Sequence, residues 1–138
     1  MRMRTASRTA SAGPARPPIR TPKQRAGDAA ESAACALLER NGCRVVARQV
    51  RFRDGELDVV AWDGAVLVFV EVRLRSSARF GGAAASVDGR KQRRVMRAAQ
   101  RYLWQHFPDA RRAPACRFDV IAADGARLEW LRAAFVAG

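Results

Sequence analysis

Apolar residues along the chain fall into two periodicities, which together predict elements in the order α-β-β-β-α-β-β. Over residues 24–41, Ala26, Ala30, Ala33, Ala34, Leu37 and Leu38 share one arc at the helical angle of about 100° per residue, and Gly42 follows as a C′ glycine. CRVVARQVRF then reads as a strand, Asp54-Gly55 as a turn, and Glu56 to Trp62 as an alternating strand. Asp63-Gly64 is a hairpin signal leading into a strand from Ala65 to Leu74. That strand is apolar on both faces, with Val66, Val68, Val70 and Val72 on one and Ala65, Leu67 and Phe69 on the other, the pattern of a central strand covered on both sides. Small, Gly-rich residues 75–87 read as a loop. Asp88 caps a second helix reaching about Phe107, before Pro108. Strands at 116–122 and 126–131, joined by an Asp124-Gly125 turn, complete the chain.

Composition narrows the class. The chain has 138 residues, room for one domain, and 49% of them are apolar, enough for a real core. Lys and Arg number 26 against 13 acids, for a net charge of +13, which points to a polyanion and to nucleic acid first. Residues 1–22 hold four of the six prolines, five arginines and no acid, and read as a disordered basic tail; 23–138 form the domain. No apolar run approaches the ~20 residues of a membrane helix. The start of the chain lacks the apolar core of a secretory signal, so a cytoplasmic location is expected. Cys35, Cys43 and Cys116 have spacings that fit neither a disulfide framework nor a zinc site, and read as small reduced residues. Trp62, Trp104 and Trp130 read as core or interface residues, and His106 as a boundary residue.

The candidate chemistry lies in the middle hairpin. A two-residue turn at Asp63-Gly64 sets Glu56 opposite Glu71 and Asp58 opposite Phe69, leaving Asp58 diagonal to Glu71 at roughly 7 Å; a shifted turn brings the two directly opposite. Glu71 continues a buried run, and an uncompensated buried carboxylate costs several kcal/mol. Arg73 supplies one positive charge; a divalent ion would supply two and takes hard oxygen ligands. The same spacing also fits an exposed hairpin end with solvated charges. Glu31 lies about 20° past Leu38 on the helical wheel, at the margin of the apolar arc and toward the sheet. On the second helix, Arg90, Arg94, Arg97 and Arg101 form a stripe flanked by Lys91 and Arg93, suited to phosphate contacts along a duplex or to plain solvation. Arg51 and Arg53 add candidate contacts before the first turn. No aromatic array of the kind that stacks single-stranded bases is present, so duplex or branched substrates are preferred.

The ordered motifs Gly27-Asp28-Ala29-Ala30-Glu31, Gly55-Glu56-Leu57-Asp58, Phe69-Val70-Glu71-Val72-Arg73, Lys91-Gln92 and Arg117-Phe118-Asp119-Val120 resemble the YraN family of uncharacterised bacterial proteins. That family is similar to the PD-(D/E)XK nucleases, archaeal Holliday junction resolvases among them. The resemblance covers roughly residues 23–136. It implies a restriction endonuclease-like α/β core, a central mixed sheet flanked by helices. It implies Asp58 and Glu71 as metal-binding acids, with Glu31 completing the site, Mg²⁺ (or Mn²⁺ as a substitute) as cofactor, and phosphodiester hydrolysis as the reaction. Arg73 stands where the superfamily has a lysine; an arginine holds charge but does not give up its proton. Glu56 reads as a support for the site. A homodimer is implied by the resolvases alone. The alternative is a non-catalytic nucleic-acid-binding protein on the same fold.

Overall fold

The computed structural model describes residues 18–74 and 87–136. The element order is α1 (Pro22–Arg40), β1 (Arg44–Phe52), β2 (Gly55–Asp63), β3 (Val66–Leu74), α2 (Gly89–His106), a short 3-10 turn, β4 (Ala115–Asp124) and β5 (Arg127–Phe135). The expected α/β fold and its order are thus present. Residues 1–17 of the expected tail (1–22) and 75–86 of the expected Gly-rich loop (75–87) lie outside the described residues, and Pro22, placed in the tail, instead begins α1. Helix α1 begins two residues before the expected start, because Thr21 and Gln24 form a reciprocal capping box and Pro22 occupies the first turn. Asp88 caps α2 as expected, accepting from the Lys91 N–H at 2.9 Å.

The five strands lie in the spatial order β1-β2-β3-β4-β5, antiparallel except for the parallel β3–β4 pair that α2 connects. Strand β3 is central. Its Val68 and Val70 pack with Ala34, Cys35 and Leu38 of α1; its Leu67 and Phe69 pack with Val95, Ala98, Ala99 and Tyr102 of α2. Two cores therefore sandwich the sheet, which is why that strand is apolar on both faces. Gly55 allows the close approach of β2 to α2: a Cβ there would meet the Arg94 carbonyl oxygen at 2.3 Å. Of the core and interface readings of Trp104, its 63% exposure excludes the core. His106 stacks on Tyr102 at the helix end, ring centroids 4.0 Å apart. Among the described residues, no helix is long and apolar enough to cross a membrane.

One correction bears on the site. The middle hairpin turns at Gly64-Ala65, not at Asp63-Gly64, because Asp63 remains in the ladder opposite Val66. Gly64 takes the first central position with φ 60°, where the absence of a Cβ removes the clash. The β4–β5 hairpin repeats the shift: Asp124 pairs with Arg127, and Gly125 opens the turn at φ 60°.

Candidate functional site

The shifted turn decides the geometry of the acids. The β2–β3 register pairs Val59 with Val70, and continued by one position it sets Asp58 directly opposite Glu71 rather than Phe69. The Val72 N–H donates to Asp58 Oδ2 at 2.9 Å, holding the aspartate against β3. Glu71 is 2% exposed, at the end of the run Leu67–Val70 that fills both cores. One of its oxygens, Oε2, is buried with no hydrogen-bond partner among the described residues. The other, Oε1, meets the Lys91 ammonium from the first turn of α2 at 3.2 Å and lies 3.9 Å from Arg73 Nη1.

Two acids this close in a sheltered place resist being charged together. Burial first, and the Asp58 charge second, push the Glu71 carboxyl up to about 8, with Lys91 drawing it partly back. Burial likewise raises Asp58, against the hydrogen bond from Val72. A stability signature follows. The unfolded chain ionises Glu71 from its ordinary value of 4.5, whereas the folded protein keeps that proton until about pH 8. Across this window the folded state binds more protons, so its stability is complete at the acid end and falls as pH rises. In metal-free buffer, Tm is expected to fall more steeply from about pH 5 to about pH 8 in the wild type than in Glu71→Gln, whose amide has no proton to lose. Parallel slopes in thermal melts of the two proteins would reject this reading of Glu71.

The other candidates divide. Glu31 is buried, 6% exposed, but its Oε1 accepts from Arg48 Nε of β1 at 3.0 Å. It lines a polar cleft of about 320 Å³ with Asp58 and Arg73 on the α1 side of the sheet. Among the described residues, no three acid, histidine or cysteine side chains come together as a metal-holding group. Glu56 is half-exposed and paired with Arg51 at 3.4 Å, so both turn toward each other at the rim. Arg53 is exposed in the β1–β2 turn. Arg101, read from the stripe as a phosphate contact, is committed to a two-point pair with Asp54 at 2.9 and 3.3 Å that clasps α2 to that same turn. Arg90, Arg94 and Arg97 are exposed and, with Lys91 and Arg73, line a second open cavity of about 540 Å³. Arg73 borders both cavities and so stands between the acid cleft and the basic groove.

Lys91 is the residue whose place the sequence did not give. The sequence offers it as a phosphate contact or as a stand-in for the lysine missing at position 73 but does not place its amine; the packing of α2 puts that amine 3.2 Å from Glu71 Oε1. The donor set suits a hard divalent cation: the neighbouring carboxylates of Asp58 and Glu71, and a buried Glu71 oxygen without a hydrogen-bond partner among the described residues. With only two acids engaged, such an ion would fill its shell largely with water, as Mg²⁺ commonly does.

The sequence matches the family model described as "Uncharacterised protein family UPF0102" over residues 30–123. A UPF0102 protein of Xanthomonas campestris pv. campestris (strain B100) is 53% identical over 115 residues, covering 82% of this chain and 93% of the relative. One from Ralstonia pickettii (strain 12J) is 53% identical over 113 residues, covering 79% and 88%. One from Janthinobacterium sp. (strain Marseille) is 47% identical over 118 residues, covering 86% and 93%.

Proposed function

The chain belongs to the UPF0102 family, and from that premise we propose that it is a metal-dependent nuclease hydrolysing phosphodiester bonds of duplex or branched DNA. The observation that carries this is the pairing of buried Glu71 with half-buried Asp58, closed by Lys91 and opening beside a groove of arginines. Asp58 and Glu71 would hold Mg²⁺, with Mn²⁺ as a substitute. When bound, such an ion supplies a water of lowered pKa and neutralises charge developing on the phosphate. Lys91 provides at Nζ the exchangeable proton and point charge that Arg73, the residue in the superfamily's lysine position, does not. Arg73, Arg90, Arg94 and Arg97 hold the phosphates by charge, in the sequence-independent way suited to a duplex backbone. Glu31, tied to Arg48, fixes the wall of the cleft. Glu56, with Arg51, stands at its rim.

A non-catalytic nucleic-acid-binding protein is the rival reading, favoured by the arginine at position 73 and by an acid pair that Lys91 already neutralises in part. Incubation of the full chain with duplex, forked and four-way DNA in Mg²⁺, Mn²⁺ and chelator separates the two. Cleavage that stops on chelation is the expected result. Salt-sensitive binding with no cleavage in either metal would overturn the nuclease reading and leave the rival standing.

A further inference from the structure

Gln49 has no part in the chemistry described so far, yet the backbone holds it in an unusual place. Its φ is 50°, in the left-handed region that residues bearing a Cβ seldom adopt and that recurs at functional sites. The β1–β2 register runs through Arg48 opposite Val59 and Val50 opposite Leu57, so the position across from Gln49 is Asp58. The β2–β3 register, continued by one, puts Glu71 on the far side of Asp58. Gln49, Asp58 and Glu71 therefore form one row across three neighbouring strands, and the positive φ falls on the row's outer member, where the register itself runs on unbroken and slips only at Val45/Ala47.

Gln49 also lines the polar cleft on the α1 side of the sheet, together with Asp58 and Arg73. Most polar neighbours there already have partners: Glu31 holds Arg48, Arg51 holds Glu56, Arg20 holds Asp28, and Gln24 is used in the Thr21 cap. The Gln49 side chain is exposed and takes no hydrogen-bond partner among the described residues. A carboxamide offers two donors and an acceptor and carries no charge. Beside two acids, such a group suits the base edge or sugar oxygen of a nucleotide better than a phosphate. Charge-based contacts in the α2 groove carry no sequence information, whereas a directed contact to a base edge does.

We propose that Gln49 is a substrate-binding residue, and that the α1-side cleft receives the nucleotide adjoining the phosphate faced by Asp58 and Glu71. This rests on the nuclease reading above. The test compares Gln49→Gly and Gln49→Ala with the wild type in DNA cleavage with Mg²⁺ and in thermal melts. Glycine relieves the left-handed strain, so a purely structural role for Gln49 predicts unchanged cleavage and an equal or higher Tm. The expected result is different: Tm is not lowered in Gln49→Gly, yet both variants raise KM by about tenfold, the worth of one good hydrogen bond, with kcat changed by less than about threefold. Abasic substitution through the cleavage region separates the two contact sources. A base contact makes one abasic position and Gln49→Gly non-additive, and a sugar contact leaves them additive. Wild-type KM in both variants overturns the inference while the nuclease reading stands. A wild type that neither cleaves nor binds DNA overturns both.

Discussion

Asp58→Asn is expected to abolish Mg²⁺-dependent cleavage, a loss of about 10²–10³-fold, in a protein that remains folded. The fold survives because the amide oxygen of Asn accepts the Val72 N–H that Asp58 Oδ2 accepts at 2.9 Å, so the strand pair keeps its anchor. What disappears is a charge. Without it, the second-largest cause of the raised Glu71 value is gone, and the site offers a divalent ion one carboxylate instead of two. Metal binding reads this out independently of cleavage: a ligand at 100 times its Kd stabilises a folded protein by about 2.7 kcal/mol. Mg²⁺ should therefore raise the Tm of the wild type and leave that of Asp58→Asn in place. Lys91→Ala is expected to separate the two effects. It removes the ammonium that sits 3.2 Å from Glu71 Oε1, so cleavage falls by about 10²-fold while the Mg²⁺-dependent rise in Tm persists or grows. Wild-type cleavage by Asp58→Asn would remove the site assigned here.

The parts of this site that were legible in the sequence are those set by local periodicity. Alternation put Asp58 and Glu71 on neighbouring strands with compatible faces, and a double-sided apolar run marked β3 as central. The turn lies one residue later than the Asp-Gly pair predicts, which moves the position opposite Asp58 by two, from Phe69 to Glu71. The Asp-Gly pairs invite a turn beginning at aspartate, whereas Asp63 and Asp124 both stay in their ladders and the glycines open the turns. Glu31 stood at the margin of the predicted arc because Ala26 and Ala33 were counted into it. The buried arc is centred on Ala34, Cys35 and Leu38, which carries Glu31 inside, and Arg48 compensates its charge from 17 residues away. Arg101 belongs to the basic stripe and Lys91 flanks it, and helical periodicity assigns neither of them a partner. Tertiary packing alone gives one to Glu71 and the other to Asp54.

Asp119→Ala is expected to destabilise the protein by about 3–5 kcal/mol, through the middle of β4 and with no appeal to the acid pair. Asp119 is fully buried in the run Phe118–Ala123, and the motif that contained it gave no reason for an acid there. The structure gives one. Its carboxylate accepts from Arg117 Nε at 2.9 Å, Arg117 Nη2 at 3.0 Å, Trp130 Nε1 at 3.0 Å and the Ala133 N–H at 2.9 Å. The last two belong to β5, whose register against β4 slips between Phe118 and Val120 and whose Ala133 sits at φ 52°. A single carboxylate thus fastens an irregular edge strand that backbone pairing alone does not fix. Alanine leaves the Trp130 and Ala133 donors without a partner, while Arg117 keeps Asp63 at 2.9 Å. In a domain of this size the loss corresponds to a Tm drop of more than about 10 °C. Asp119→Asn, which keeps the volume and part of the acceptor capacity, should lose less than half of that. Because Arg132 stacks over the Trp130 ring at 3.7 Å, indole emission should shift in Asp119→Ala before the global transition, as β5 releases first. A Tm within about 3 °C of the wild type would mean that strand pairing alone holds β5 in place.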